Sequence, residues 1–132
     1  MSTLKVSEII ATGETAGRAV SGVAAAWVNF DGTGTVAIRD SMNVASITDQ
    51  GTGAYDANFS SNMANDDYVT TGFANAQSVV DDFHSDAFSA LGTSLSPMTG
   101  ATTSNTSIGS YTVSVGYTDS KLAYVVVHGD LA

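Results

Sequence analysis

Apolar and polar residues alternate with a period of two through most of this chain, and glycines punctuate the alternation, which is the pattern of half-buried strands joined by tight turns. Trp27, Val28 and Phe30 sit in the first clear strand, and Asp31-Gly32 after them is a hairpin signal because glycine accepts positive φ. The next strand places Val36, Ile38, Met42 and Val44 on one face and Thr35, Ala37, Arg39 and Asn43 on the other, interrupted at Asp40. At Ala45 and Ile47 the apolar parity switches, which predicts a bulge or a strand break near Val44 to Ala45. Gly51-Thr52-Gly53 makes a further turn. Tyr55, Ala57 and Phe59 then alternate with Asp56, Asn58 and Ser60. Asn62 to Asp67 is a polar turn, and Tyr68 to Phe73 is a short strand rich in β-branched and aromatic residues.

Residues 75–91 break the rhythm. Val80, Phe83, His84, Ala87, Phe88 and Leu91 follow helical spacing, with Gly92 placed as a C-terminal cap, so the pattern predicts a short helix at about 75–91, with an extended segment as the rival. Thr93 to Ser107 reads as a polar loop around the single proline, Pro97. Ser110 to Thr118 carries the cleanest alternation, with Tyr111, Val113, Val115 and Tyr117 on one face. Leu122 to Val127 (LAYVVV) is apolar on both faces, the mark of a central strand or of one covered by a partner. These last two runs are expected to form a hairpin. Residues 1–10 read as a short strand and 11–23 as a glycine-punctuated connector. The fold class that follows is all-β, an antiparallel β-sandwich of six to eight short strands, closing into a barrel being the variant. An N-terminal strand and connector over 1–23 precede the sandwich over 24–132.

Composition narrows the picture. The 132 residues suffice for one core. There is no cysteine, hence no disulfide framework or thiolate metal site. The net charge of −9 repels phosphate backbones and anionic lipid, which argues against nucleic-acid partners. Ala, Ser, Thr and Gly supply 64 residues, small side chains suited to closely packed β layers and repeated subunit contacts. The apolar run Ala19 to Val28 is ten residues long, against the ~20 that cross a bilayer as a helix, so no membrane insertion is expected. Lys5 is followed by Glu8 and Glu14 rather than by an apolar core, unlike a secretory signal.

Candidate chemistry is sparse. His84 lies among Asp81, Asp82 and Asp86, a set able to bind a divalent cation, but on a helix His84 points away from the Asp82–Asp86 pair, and a solvated acidic face explains the run. His128 follows LAYVVV; on a threefold axis it would join an imidazole cluster, otherwise it ends a strand at the surface. Asn29 with Asp31 and Asp56 with Asn58 each put two oxygen side chains on one strand face, but neither continues into a calcium loop, and turn and edge chemistry explains them. No Gly-x-Ser-x-Gly elbow, phosphate-binding glycine loop or catalytic triad spacing occurs. No catalytic, cofactor-binding or metal residue is expected, and no enzymatic activity. Trp27, the five Phe and the five Tyr mostly follow the apolar parity and are expected in the core, Tyr68 being the weakest core candidate.

The stretch Trp27 to Met63, WVNFDGTGTVAIRDSMNVASITDQGTGAYDANFSSNM, resembles a β-rich module at the C-terminal end of bacteriophage tail fibres and related virion proteins. Met1 to Val6 (MSTLKV) resembles the N-terminus of that group, and Tyr124 to Asp130 (YVVVHGD) its last strand. The resemblance implies a non-enzymatic virion structural protein, assembled in the host cytoplasm as a homotrimer with other virion proteins as partners. It also implies attachment to a host-surface glycan or protein through outward loops at about Ala74 to Ser107. The chain departs from the group in lacking a long shaft between MSTLKV and the module, and in the helical spacing of 75–91. The first departure leaves a capsid decoration, cement or head-fibre role as the alternative. A carbohydrate-binding module is the third reading; it needs an exposed aromatic platform.

Overall fold

The structure, a computed structural model, describes residues 6, 8–10, 12–13, 15, 18–19, 23–76, 87–89, 100–112 and 116–132. Two short strands, β1 (Glu8–Ile9) and β2 (Arg18–Ala19), pair antiparallel in a sheet of their own. The others form two antiparallel sheets, the layers of a β-sandwich. The front sheet has the order β4-β3-β11-β7, from β3 (Ala24–Asp31), β4 (Ala37–Met42), β7 (Val69–Ala76) and β11 (Ser120–His128). The back sheet runs β5-β6-β9, from β5 (Val44–Gly51), β6 (Ala54–Phe59) and β9 (Asn105–Thr112). Two short strands, β8 (Ala87–Ser89) and β10 (Gly116–Tyr117), also pair with β9. Seven of these strands have six residues or more, in line with the sequence pattern.

The inner faces supply the core. Ala26, Val28, Phe30, Ala74, Ala123, Val125 and Val127 of the front sheet face Val44, Tyr55, Ala57, Phe59 and Ile108 of the back sheet, and all are buried. Phe30 meets Tyr55 edge-on at 5.2 Å between ring centres, a favoured aromatic geometry. Two hydroxyl pairs also bridge the sheets: Thr70 with Thr106, and the fully buried Ser110 with Ser120. Satisfying each other, they avoid the cost of desolvated, unbonded hydroxyls.

The second strand changes parity earlier than the sequence places it, at a bulge, and the expected face that joins Val36 and Ile38 to Met42 is corrected. Asn29 pairs with Asp40 and Phe30 with Ile38, so Arg39 is an extra residue in β4. This bulge turns Met42 outward, to 40 % exposure, rather than onto the Val36–Ile38 face. The chain then leaves the front sheet at Asn43, whose φ is +55°, a left-handed conformation that asparagine tolerates better than most residues. The Asn43 side chain holds the corner. Its Nδ2 donates to the Ala25 and Ser61 carbonyls at 3.2 and 3.1 Å, and its Oδ1 accepts from Ser61 N–H at 2.7 Å. Beyond the corner a second register shift falls between Val44 and Ser46, where the sequence places it.

Three expectations are corrected. The helix over 75–91 is contradicted at both described ends: Asn75 and Ala76 finish β7, and Ala87–Ser89 is β8; 77–86, 90 and 91 lie outside the described residues. Helical spacing there competes with backbone pairing to β11 and β9, and the pairing prevails. The loop expected up to Ser107 ends earlier, since β9 begins at Asn105. The two C-terminal runs are not hairpin partners: β9 belongs to the back sheet, while β11 crosses to the front and lies between β3 and β7. LAYVVV is thus a central strand.

The turn at Gly53 fixes how the sheets close. Its φ is +66°, and a Cβ there would lie 2.6 Å from both Ser110 O and Thr118 N. Gly53 N–H donates to Asp119 Oδ1 at 2.7 Å, and Gly53 O accepts from Ser110 N–H. The Tyr55 hydroxyl reaches the same carboxylate at 2.9 Å and the Gly32 carbonyl at 3.1 Å. Burial, then the hydrogen bond to Asp119, raises the pKa of this phenol.

Candidate interaction surface

Alternation sends every second residue of the front sheet outward, and the pairing register aligns these residues in rows. Met42, Trp27, Val126 and Thr71 form one row across β4, β3, β11 and β7; Asp40, Asn29, Tyr124 and Phe73 form the next. His128 pairs with Val69 at the end of β11. Val69 is 61 % exposed, Phe73 41 % and Tyr124 37 %, while Trp27, Val126 and His128 are half-buried. The rings of Phe73 and Tyr124 stack at 6.3 Å between centres. The outer face of the front sheet is therefore largely apolar and aromatic.

Among the described residues of these four strands, the acids turned to this face, Asp31 and Asp40, stand with Arg39 at the β3–β4 margin. The bulge aims Arg39 across the sheet: Nη2 donates to Asp31 Oδ2 at 2.8 Å and to the Lys121 carbonyl, Nη1 to the Phe30 carbonyl at 3.2 Å and more weakly to Asn29 Oδ1. The paired oxygens of Asn29 and Asp31 thus hold a guanidinium. Hydrogen bonds from the Thr33 hydroxyl and N–H, with the Arg39 charge adding to them, keep the Asp31 carboxyl below its ordinary pKa.

The back sheet's outer face is built differently. Asn58 donates to Ser46 and Thr48. Asp56 is buried at 3 % exposure in a central strand, not at the edge or turn its sequence suggests. Ser107 Oγ and Gln50 Nε2 each donate to it at 2.6 Å. Ser107 also bonds the Gly100 backbone, so this Asp–Ser pair ties the segment before β9 to the sheet.

A polar cleft of about 280 Å³ lies near Asp66, Asp67, Tyr68 and Thr70, with Thr106 and Ser107 in its wall. Its hydroxyls serve the fold: Tyr68 reaches the Asn105 and Thr102 carbonyls, Thr70 meets Thr106, and Ser107 meets Asp56. Tyr68 also packs edge-on against Phe59 at 5.7 Å, so the weakest core candidate is attached to the core. Conversely, Phe73 and Tyr124 lie outside it; the signal that marks Tyr124 is the doubly apolar LAYVVV run, and Phe73 is placed by its pairing with Tyr124.

His84 and its aspartates 81, 82 and 86 lie outside the described residues, as does most of 74–107. Among the described residues no group of three or more His, Asp or Glu is placed to hold a metal. No family model, curated protein or solved structure matches the chain.

Proposed function

We propose that the protein is a non-enzymatic bacteriophage virion structural protein, a short tail-fibre-like subunit that assembles as a homotrimer and attaches to the host surface. The observation that carries this reading is the Trp27 to Met63 stretch that resembles virion modules. In the structure it forms β3 to β6, two strands of each layer, with Trp27 on an apolar outer face. A rigid sandwich with one polar and one apolar outer face suits a building block with neighbours. Capsid decoration is the competing placement.

Immuno-electron microscopy of phage particles tests it. Label at the tail is expected; label on the capsid alone gives the decoration reading, and label on neither removes the virion assignment. Purified protein is expected to bind host cells and to leave bare capsids uncoated.

A further inference from the structure

We infer that the outer face of the β4-β3-β11-β7 sheet is a self-association surface, occupied by a second copy of this chain. The inference rests on the reading above for the presence of several copies in one assembly.

The two sheets make an internal comparison. An antiparallel sheet with one wet face alternates apolar and polar residues. The back sheet does so, with Ser46, Thr48, Asn58 and Asn105 outward and hydrogen-bonded. The front sheet does not. Its outward positions include Trp27, Met42, Val69, Phe73, Tyr124 and Val126. Four of these are more than a third exposed. The same chain thus builds one outer face of hydrogen-bonded polar groups, with Asp56 and Ser107 covered, and one of exposed apolar side chains.

Charge selects the partner. Two chains that each carry −9 repel one another over most approaches. On this face the described acids, Asp31 and Asp40, stand at one margin beside Arg39. A second copy therefore meets the middle of the face, around Trp27, Val126, Tyr124 and Phe73, without like-charge opposition. The Asp31–Arg39 pair at this margin offers a neighbouring copy both an acid and a base. A basic partner finds its attraction elsewhere on the molecule.

Area sets the strength. Four strands ~4.8 Å apart and about six residues long at ~3.3 Å each cover roughly 400 Å². A stable pair of strangers buries ~800 Å² per partner. One contact through this face is accordingly weak, and an assembly that gives each chain more than one neighbour multiplies it.

Sedimentation velocity on the full chain from about 1 to about 100 μM brackets micromolar dissociation constants. The wild type is expected to associate with rising concentration. The double variant Phe73→Glu/Tyr124→Glu is expected to dissociate at least about thirty-fold more readily, as for loss of a hot spot. Thr48→Glu, which adds charge to the back sheet, is expected to associate like the wild type. Circular dichroism checks that each variant folds, and Val69→Lys, at the most exposed of these positions, replaces the double variant if that one does not. A wild type that stays monomeric overturns both this inference and the trimer. Association unchanged in a folded front-face variant overturns the inference and leaves the trimer standing. A monomer that binds saccharides on a glycan array, and loses them in the front-face variants, reassigns the face to carbohydrate.

Discussion

Replacing Asn43 tests whether the corner between the sheets is held by one side chain. Asn43→Ala removes three hydrogen bonds, to Ala25 O, Ser61 O and Ser61 N–H. At a net ~0.5–1 kcal/mol each for partly solvated bonds, they amount to about 2 kcal/mol. The φ of +55° adds about 1 kcal/mol, because alanine lacks the local polar interactions that help asparagine in this region. The expected loss is thus about 3 kcal/mol, a large part of the ~5–15 kcal/mol typical of a domain. It lowers the melting temperature by roughly 10 °C for a chain of 132 residues. Asn43→Gly loses the same hydrogen bonds but not the backbone preference, so it is expected to cost about 2 kcal/mol. Urea unfolding followed by circular dichroism and by the fluorescence of the single tryptophan, Trp27, measures both. If both variants stay within about 0.5 kcal/mol of the wild type, the corner is held by the rest of the sandwich and the reasoning fails.

Three further outcomes follow from the packing. Gly53→Ala is expected to cost at least ~3 kcal/mol, because its Cβ meets backbone atoms that cannot swing aside; Gly34→Ala, at a φ of +62° with open space around it, is expected to cost only about 1 kcal/mol, and equal thermal shifts would contradict this. Burial raises the pKa of Tyr55 and Tyr68 above the ordinary 10.0, so both are protonated in folded and unfolded chains below that pH. As pH rises past 10 the unfolded chain ionises first and stability is lost, by up to ~1.4 kcal/mol per pH unit per tyrosine; urea midpoints are expected to fall in this window, and less steeply in Tyr55→Phe. Arg39→Lys forfeits the fork that joins Asp31 to the β3 and β11 carbonyls and is expected to cost about 1 kcal/mol by the same assay, whereas no change would show the margin to be ornamental.

The sandwich is legible in the sequence wherever alternation and glycine turns agree, as from Trp27 to Phe59. What alternation cannot show is which strands pair. β9 and β11 look like hairpin partners because they are neighbours in sequence, yet the short Tyr117–Ser120 link carries the chain between layers. Bulges are visible only as broken parity. The break at Ala45 is plain, while the one at Arg39 is disguised because Met42 remains apolar on the wrong face. Apolar identity does not separate core from outer face either. Tyr124 and Phe73 read as core; for Tyr124 the second apolar parity on its strand, at Ala123, Val125 and Val127, shows that one of the two faces lies outside, while Phe73 has no such signal.

The placement of β11 has a consequence for the making of the protein. β3 and β7 do not touch by pairing; each is hydrogen-bonded to β11, which follows them by some 50 to 90 residues and so joins only after a large loop has closed. During synthesis β3 and β7 wait with open edges until the segment Ser120–His128 emerges. A chain interrupted before that point keeps only the β3–β4 pair of the front sheet and leaves β7 without its neighbour, so the outward rows of side chains are never completed.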